Sequence, residues 1–315
     1  MDRRTFLATA AAAATVGGRS QAADQPGGII DAHTHFYDPS RPEGVPWPSP
    51  DDATLFKTVL PADWDGVARV HGATGTIVVE ASPWVEDNQW LLDLADEERS
   101  VARRSILGVV GNLPLGDPGC RDFIARFARH PLYRGVRVPG DRLHAGLDDT
   151  GFVADLARLA DAGLAVDVNH GAVFAAADRL AARFPSLSIV IDHLGNPRFG
   201  DDGPEADWLD AIRRVARHPR ITMKVSALAE GRVHAAAGRG RKGLLTTDFF
   251  RPWLDHAWDA FGTERLMFAS NWPVSDLGCP WGQVLGLVQP YVAGLGAAVE
   301  ARFYAGTARE AYGLA

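Results

Sequence analysis

The chain has 315 residues, 46% of them hydrophobic, and its 32 basic and 39 acidic side chains give a net charge of −7. This composition is typical of a globular protein long enough for one large domain. An acidic chain without a basic block argues against nucleic-acid binding. No apolar run of about 20 residues follows the first 22 positions, so no membrane span is expected.

The first 22 residues are predicted to be an export signal that is not part of the fold. Residues 3–7 read Arg-Arg-Thr-Phe-Leu, a twin-arginine pattern, and a weakly apolar, alanine-rich run follows them. Residues 20–23 then supply small side chains at a cleavage point. This order of regions is that of a bacterial export signal. We therefore expect a periplasmic protein, with a disordered basic tail as the alternative interpretation.

Beyond this segment, short apolar runs alternate with amphipathic stretches. The predicted strands cover residues 28–32, 75–81, 105–110, 133–138, 164–168, 187–191, 221–225 and 266–269. The predicted helices between them include residues 88–96, 120–128, 150–162, 172–184, 206–217 and 247–261. Apolar strands alternating with helices are typical of a parallel sheet. Residues 28–315 are therefore predicted to form one α/β domain, a single (β/α)8 TIM-type barrel with a C-terminal helical extension.

An open, doubly wound sheet is the alternative fold. It is disfavoured because no glycine-rich phosphate-binding fingerprint follows the first predicted strand.

Polar side chains follow most of the predicted strands, at the end where α/β barrels keep their active sites. Residues 31–35 read Asp-Ala-His-Thr-His, and strand alternation places His33 and His35 on one face, about 6–7 Å apart along the strand. Two such histidines can converge on one divalent ion, or they can be half-buried side chains bonded to loop carbonyls. The other strand ends carry Glu80, Arg137, His170, His193, Lys224 and Asn271. Together these residues predict a pocket at one rim of the barrel.

In order along the chain, these motifs resemble the amidohydrolase-2 family, and within it the sugar-lactonase branch. The matching segments are residues 31–35, Val-Val-Glu-Ala-Ser at 78–82, Ile-Asp-His-Leu-Gly-Asn-Pro at 191–197, Met-Lys-Val-Ser at 223–226, Ser-Asn-Trp-Pro-Val at 270–274 and the closing segment 304–314. The resemblance implies a hydrolase that opens a small sugar lactone in a distorted barrel. It also implies one divalent metal, Zn²⁺ or Mn²⁺, and no organic cofactor.

Residue by residue, the resemblance assigns roles to four histidines. His33 and His35 would be the metal ligands of the first strand, and His170 the ligand of the fifth. His193 would bind the metal or move protons.

The eighth-strand motif departs from the family's pattern at one position. Most members read Ser-Asp-Trp-Pro-Val, with the aspartate as a metal ligand or general base, whereas this chain has Asn271. An amide cannot accept a proton near neutral pH and lends no negative charge to a metal. Asn271 is instead expected to hydrogen-bond the substrate.

Two chemistries therefore stay open. In one, a divalent ion on His33, His35 and His170 activates water and polarises the lactone carbonyl, and His193 carries the proton. In the other no metal is needed: neutral His193 is the general base, and Lys224 or Arg137 polarises the carbonyl. Asp192 is expected to point away from His193 and to form a hydrogen bond from barrel to helix.

The substrate class is argued from the residues of the rim loops. Glu80, Arg137, Trp84 and Trp272 are the predicted substrate-binding residues, because aromatic rings at a pocket mouth can stack on sugar C–H faces. Tryptophans at 47, 84, 272 and 281 share this predicted location, although each could equally be a core residue. Residues 232–243 could close over an anionic ligand, but an exposed mobile loop is the favoured interpretation.

Other functions and one structural alternative complete the set of hypotheses. A metal-independent lactone isomerase, a decarboxylase and a non-catalytic sugar-acid binding protein are the alternatives to the hydrolase.

Cys120 and Cys279 could form a disulfide in an oxidising compartment, but both are as easily small core side chains.

Overall fold

The computed structural model describes residues 28–101, 104–236 and 245–314, so the predicted export signal lies outside the described residues. Eight strands form one sheet in chain order: β1 Ile29–Thr34, β2 Ala73–Val79, β3 Ile106–Gly111, β4 Tyr133–Pro139, β5 Ala165–Asn169, β6 Ile189–Ile191, β7 Ile221–Val225 and β8 Leu266–Phe268. Each strand pairs in parallel with the next. The predicted (β/α)8 barrel is confirmed.

Helices follow the strands and cover the sheet. They are α1 Pro61–Ala68, α2 Asp87–Ser100, α3 Cys120–Phe127, α4 Gly140–Gly146, α5 Thr150–Asp161, α6 Val173–Arg183, α7 Ala206–Val215, α8 Leu228–Ala236, α9 Thr247–Phe261, α10 Trp281–Ala293, α11 Ala297–Ala301 and α12 Thr307–Ala311. Side-chain caps fix two of the starts: Asp149 accepts a hydrogen bond from the Phe152 backbone N–H, and Thr246 from that of Phe249. None of the described helices is long and apolar enough to cross a membrane.

The strands have two buried faces, which explains their near-continuous apolar sequences. In β5, Val166 and Val168 belong to the large cluster beneath the helices, whereas Ala165 belongs to a second cluster with Ile30, Ile77 and other residues of several strands. Because residues of so many strands meet only in the centre of a barrel, the second cluster is the barrel interior.

Residues beyond the strand ends close the barrel between β8 and β1. The backbone N–H of His35 donates to the carbonyl of Trp272 at 2.9 Å, and that of Asn271 donates to the carbonyl of His33 at 2.9 Å. Below them, buried Asp31 accepts hydrogen bonds from the backbone N–H of Ser270 at 2.8 Å and from its hydroxyl at 2.6 Å. These bonds fix the loop that follows β8 against β1, the strand that carries His33.

The C-terminal segment closes the opposite end of the barrel. The hydroxyl of Ser188, which precedes β6, donates to the carbonyl of Ala311 at 2.8 Å. The ring of Tyr312 enters the interior, and its hydroxyl donates to Asp167 Oδ2 at 2.8 Å. Among the described residues, the barrel is therefore open to a ligand at the end formed by the strands' C-termini.

Two predictions about loops and cysteines can be compared with the structure. Residues up to 236 of the predicted mobile loop belong to α8, and Arg232 is buried, with bonds to the Phe199 carbonyl and Asp201. The loop prediction is therefore wrong for that part, because the guanidinium stacks on the Phe249 ring instead of facing solvent. The rest of the charged segment lies outside the described residues. Cys120 and Cys279 are both buried free thiols.

Candidate active site

The turns after β5 to β8 share a backbone conformation that most residues avoid. His170, His193, Ala227 and Asn271 have φ angles of 52°, 56°, 56° and 62°. For residues other than glycine this left-handed region costs on the order of 1–3 kcal/mol each, and such residues cluster at functional sites. Here the turns bring side chains of successive strand ends to one cavity.

The cavity has a volume of about 810 Å³ and lies at the C-terminal end of the strands. Five of the residues predicted from the sequence line it: His35, Arg137, His170, His193 and Asn271. Its lining also includes Trp47, Arg198, Glu230 and His234. The structure therefore brings these five side chains together at the rim where the sequence predicts a pocket.

His33 and His35 project to the same face, as the strand alternation predicts. Their Nε2 atoms are 3.3 Å apart. His35 Nδ1 donates a hydrogen bond to the carbonyl of Val79 at 3.0 Å, so Nε2 of the neutral ring is an acceptor. Its neighbours are His33 Nε2 and the side chain of Asn271.

Beneath the two histidines lies a fully buried charged cluster. Lys224 Nζ is 2.6 Å from Asp167 Oδ2, 2.9 Å from Asp192 Oδ1 and 3.2 Å from His33 Nδ1. Because Lys224 is inaccessible to solvent, it acts on the cavity through His33 and does not contact a substrate directly.

The expected barrel-to-helix hydrogen bond of Asp192 is wrong. Its carboxylate points into the barrel interior, where Oδ1 lies 3.3 Å from His33 Nδ1 as well as beside Lys224. The reason is local: β6 ends at Ile191 and the chain turns at His193, so regular alternation stops one residue before Asp192. His193 Nδ1 instead forms a 2.8 Å hydrogen bond with the Ser226 hydroxyl.

Burial keeps the cavity histidines neutral. Desolvation lowers the pKa of His35 to about 3, and the charge of Arg137 lowers it further. Desolvation likewise lowers the pKa of His193 to about 3, with the charges of Lys224 and Arg137 acting in the same direction against that of Asp192. Both rings are therefore uncharged ligands or hydrogen-bonding groups across the neutral pH range.

Three buried side chains could hold a metal ion. Ligand atoms of His33, Asp192 and His193 all lie within 4.8 Å of one another. His170, predicted to be a ligand, is an exposed residue at the cavity wall, and the structure does not bring it into this group. Of the three predicted ligands, this group contains His33 but not His35 or His170, and it adds Asp192, which sequence reasoning did not assign as a ligand.

Arg137 is a cation of the cavity wall whose guanidinium is held by a carboxylate. Its Nε donates to Glu80 Oε1 at 2.8 Å, and Nη2 donates to the Glu80 carbonyl at 2.9 Å. Burial by itself would lower the pKa of Arg137, but the negative charges of Glu80 and Asp192 raise it. Glu80 is not among the described residues that line the cavity, so its contact with the site is through Arg137.

Of the tryptophans considered from the sequence, only Trp47 is in the described lining of the cavity, with its ring centroid 5.8 Å from that of His35. Trp84 is exposed outside it, and Trp272 is buried against Phe36. Trp281 is also buried, and its Nε1 donates to Asp31 Oδ2 at 2.7 Å. The expectation that Trp84 and Trp272 bind substrate is not supported, because the turn beyond β8 directs the Trp272 ring into the core.

Sequence reasoning missed Glu230. This residue lies in the first turn of α8, directly after β7, and Asn271 Nδ2 donates to its Oε1 at 2.7 Å. Burial raises the pKa of Glu230 to about 7, against the hydrogen bond from Asn271. The available signal was its place four residues after the Met-Lys-Val-Ser motif.

Comparisons with known proteins agree with this geometry. The family model described as Amidohydrolase matches residues 30–314. An L-fucono-1,5-lactonase of Burkholderia ambifaria is 32% identical over 80% of this chain and 83% of its own length. An L-fucono-1,5-lactonase of Burkholderia multivorans is 29% identical over 90% of this chain and 96% of its own. A crystal structure of an amidohydrolase from Burkholderia multivorans with bound zinc has 28% identity and a TM-score of 0.77, covering 91% of this chain and 99% of its own.

Proposed function

The chain belongs to the amidohydrolase family, and from this premise we propose that it is a hydrolase that opens a sugar lactone by attack of water on the lactone carbonyl. The observation that carries the proposal is that cationic Arg137 and neutral His193 line one cavity with Asn271. Relatives named L-fucono-1,5-lactonase match most of the chain, which supports the same substrate class.

The protein's own groups supply what ester hydrolysis requires. Arg137, held by two hydrogen bonds to Glu80, is a fixed positive charge that can stabilise the negative charge developing on the carbonyl oxygen. The Ser226 hydroxyl orients the His193 ring, whose Nε2 can bind a metal ion or, where no metal is bound, accept a hydrogen bond from the attacking water. Trp47 gives the cavity an apolar wall on which a sugar ring can lie.

The residues present fit a divalent ion. Two histidines and one carboxylate are a ligand set typical of catalytic zinc sites that keep a position open. Asp192 Oδ2 is buried without a hydrogen-bond partner among the described residues, so the carboxylate has an acceptor to spare. His33, Asp192 and His193 would hold the ion. A bound Zn²⁺ or Mn²⁺ would polarise the carbonyl and acidify water.

Metal binding is tested apart from activity. Protein stripped with a chelator and titrated with Zn²⁺ or Mn²⁺ should bind one equivalent, seen by calorimetry and by a rise in thermal stability. Asp192→Asn should weaken this binding, whereas Asp178→Asn, a change outside the cavity, should not.

The hydrolase is tested with a panel of 1,5- and 1,4-aldonolactones, beginning with L-fucono-1,5-lactone. A pH-indicator assay should show acid production from at least one of them. Thermal stabilisation by a lactone without turnover would instead indicate a binding protein.

We also propose export to the periplasm through the twin-arginine pathway. The support for this proposal is the sequence alone, in the Arg-Arg-Thr-Phe-Leu segment at residues 3–7 and the alanine-rich run behind it.

A further inference from the structure

Glu230 is placed in the cavity by two separate contacts of the eighth-strand loop. The side-chain amide of Asn271 donates to Oε1 at 2.7 Å. The loop also approaches the α8 backbone at Gly278, where a Cβ atom would lie 2.5 Å from the Ala229 carbonyl carbon and 2.6 Å from the Glu230 nitrogen. Only a glycine allows this approach, so the start of α8 is fixed against the loop.

The second carboxylate oxygen of Glu230 differs from the first in its hydrogen bonding. Oε2 of Glu230 is buried and has no hydrogen-bond partner in the part of the chain that the structure describes. A buried polar atom left unpaired costs on the order of 1–3 kcal/mol, which a bound ligand can recover. Because Glu230 lines the cavity with Arg137 and His193, a water or a substrate hydroxyl there can supply the missing hydrogen bond.

The surroundings of Glu230 let it take up and release a proton near neutral pH. Burial raises its pKa to about 7, and the charge of Asp276 raises it further against the hydrogen bond from Asn271. The Cys279 thiol beside it stays protonated, since burial raises its pKa to about 11. His234, four residues along α8, lines the same cavity.

We propose that Glu230 is the general base of the lactone-opening reaction, with Asn271 holding its Oε1 and leaving Oε2 to face the water. This assignment rests on the proposed lactonase function. It gives Asn271 a role that an aspartate could not fill: the amide presents a neighbouring carboxylate instead of accepting the proton itself.

The proton passes through Glu230 once in each turnover. The water oxygen bonds to the carbonyl carbon while its proton moves to Glu230 Oε2, and Arg137 stabilises the negative oxygen. The bond between that carbon and the ring oxygen then breaks, and the ring oxygen takes the electron pair together with the proton from Glu230. The product is the open hydroxy acid, and the carboxylate of Glu230 is restored.

Glu230→Gln is the direct test, because a glutamine oxygen can still accept the hydrogen bond from Asn271. We expect kcat to fall by about 10²- to 10⁴-fold with KM little changed. In the wild type, kcat should fall on the acid side of the pH profile with a midpoint near pH 7. The residual kcat of Glu230→Gln should not show this fall. Glu97→Gln, at an exposed position of α2, is the matched control and should behave as the wild type. Circular dichroism and thermal unfolding establish that each variant is folded.

Asp276→Asn provides a second measurement that does not depend on the first variant. Removing this negative charge should lower the pKa of Glu230, so the acid limb should move to lower pH while activity is retained. An unshifted limb in Asp276→Asn, or Glu230→Gln with at least a third of the wild-type kcat, would overturn the assignment while leaving the lactonase function intact. A wild-type protein that hydrolyses no lactone of the panel would contradict both.

Discussion

Asn271 and Glu230 form one unit, in which the side-chain amide of the asparagine donates a 2.7 Å hydrogen bond to the glutamate carboxylate. The asparagine belongs to the loop after β8 and the glutamate to the helix after β7, so the pair joins two neighbouring strand ends. A donor is required at position 271, because Glu230 approaches it as an acceptor. The amide of Asn271 thus supplies a hydrogen bond that an ionised carboxylate at this position could not donate.

Asn271→Asp should depress turnover near neutral pH. The variant places two carboxylates within hydrogen-bond distance, and one of them must keep a proton, so the pKa of the pair rises. We expect kcat at pH 7 to fall at least about tenfold and to recover partly at higher pH, as measured by a pH profile. Asn271→Ser, which adds no charge, should not show that recovery. A several-fold gain in hydrolysis by Asn271→Asp with added Zn²⁺ would show that the usual metal-and-aspartate arrangement is merely lost here.

The pH dependence of thermal stability should show whether Glu230 binds a proton in the folded protein. The folded-state pKa of about 7 lies above the ordinary value of 4.5, so the folded protein holds a proton that the unfolded chain releases. The proton held by Glu230 contributes to the free energy of unfolding in full below pH 4.5, and this contribution is lost as pH rises through 7. Thermal unfolding should therefore show Glu230→Gln becoming more stable relative to the wild type between pH 4.5 and 8. The cavity histidines are present in both proteins, so their effects cancel when the two stabilities are subtracted. A stability difference that does not change with pH would contradict the raised pKa of Glu230.

Arg137→Ala should lower kcat/KM by about 10²- to 10³-fold, the usual cost of removing one donor to the developing oxyanion. The change also leaves the Glu80 carboxylate without its 2.8 Å partner, so some loss of thermal stability is expected. Glu80→Gln keeps a hydrogen-bond acceptor for Arg137 and should lose less activity. Equal kcat/KM for Arg137→Ala and the wild type would remove Arg137 from the reaction.

Export should depend on the paired arginines. A full-length protein with Arg3→Lys and Arg4→Lys should stay in the cytoplasm of a host in which the unchanged protein reaches the periplasm, as fractionation and immunoblotting would show. Equal export of both proteins would contradict the twin-arginine interpretation.

The sequence predicts the barrel well because its signals are local. Eight apolar runs and the helices between them follow from burial on both sides of a parallel sheet, and the alternation of His33 and His35 follows from strand geometry. The positions of Asp192 and Glu230 do not follow from such periodicity. Asp192 faces inward because β6 ends at Ile191 and the next residues, His193 and Leu194, have positive φ angles. The residue types at these positions do not indicate that the backbone adopts this conformation.

Glu230 is held in the site by contacts with residues that are distant from it in the sequence. Its partner Asn271 is 41 positions away, and the close approach at Gly278 depends on how the loop after β8 lies on α8. A single sequence names the residues at each strand end, but which of them meet depends on the tertiary packing of the turns.

The most direct test of the lactonase account is to count protons released against lactone consumed, with L-fucono-1,5-lactone first and then the other aldonolactones. A pH-stat combined with ¹H NMR of the same samples measures both quantities. Hydrolysis predicts one proton released near neutral pH for each lactone opened, with the hydroxy acid as the product. Consumption of lactone with no proton released and a new lactone in the spectrum would instead identify an isomerase and contradict the proposed function.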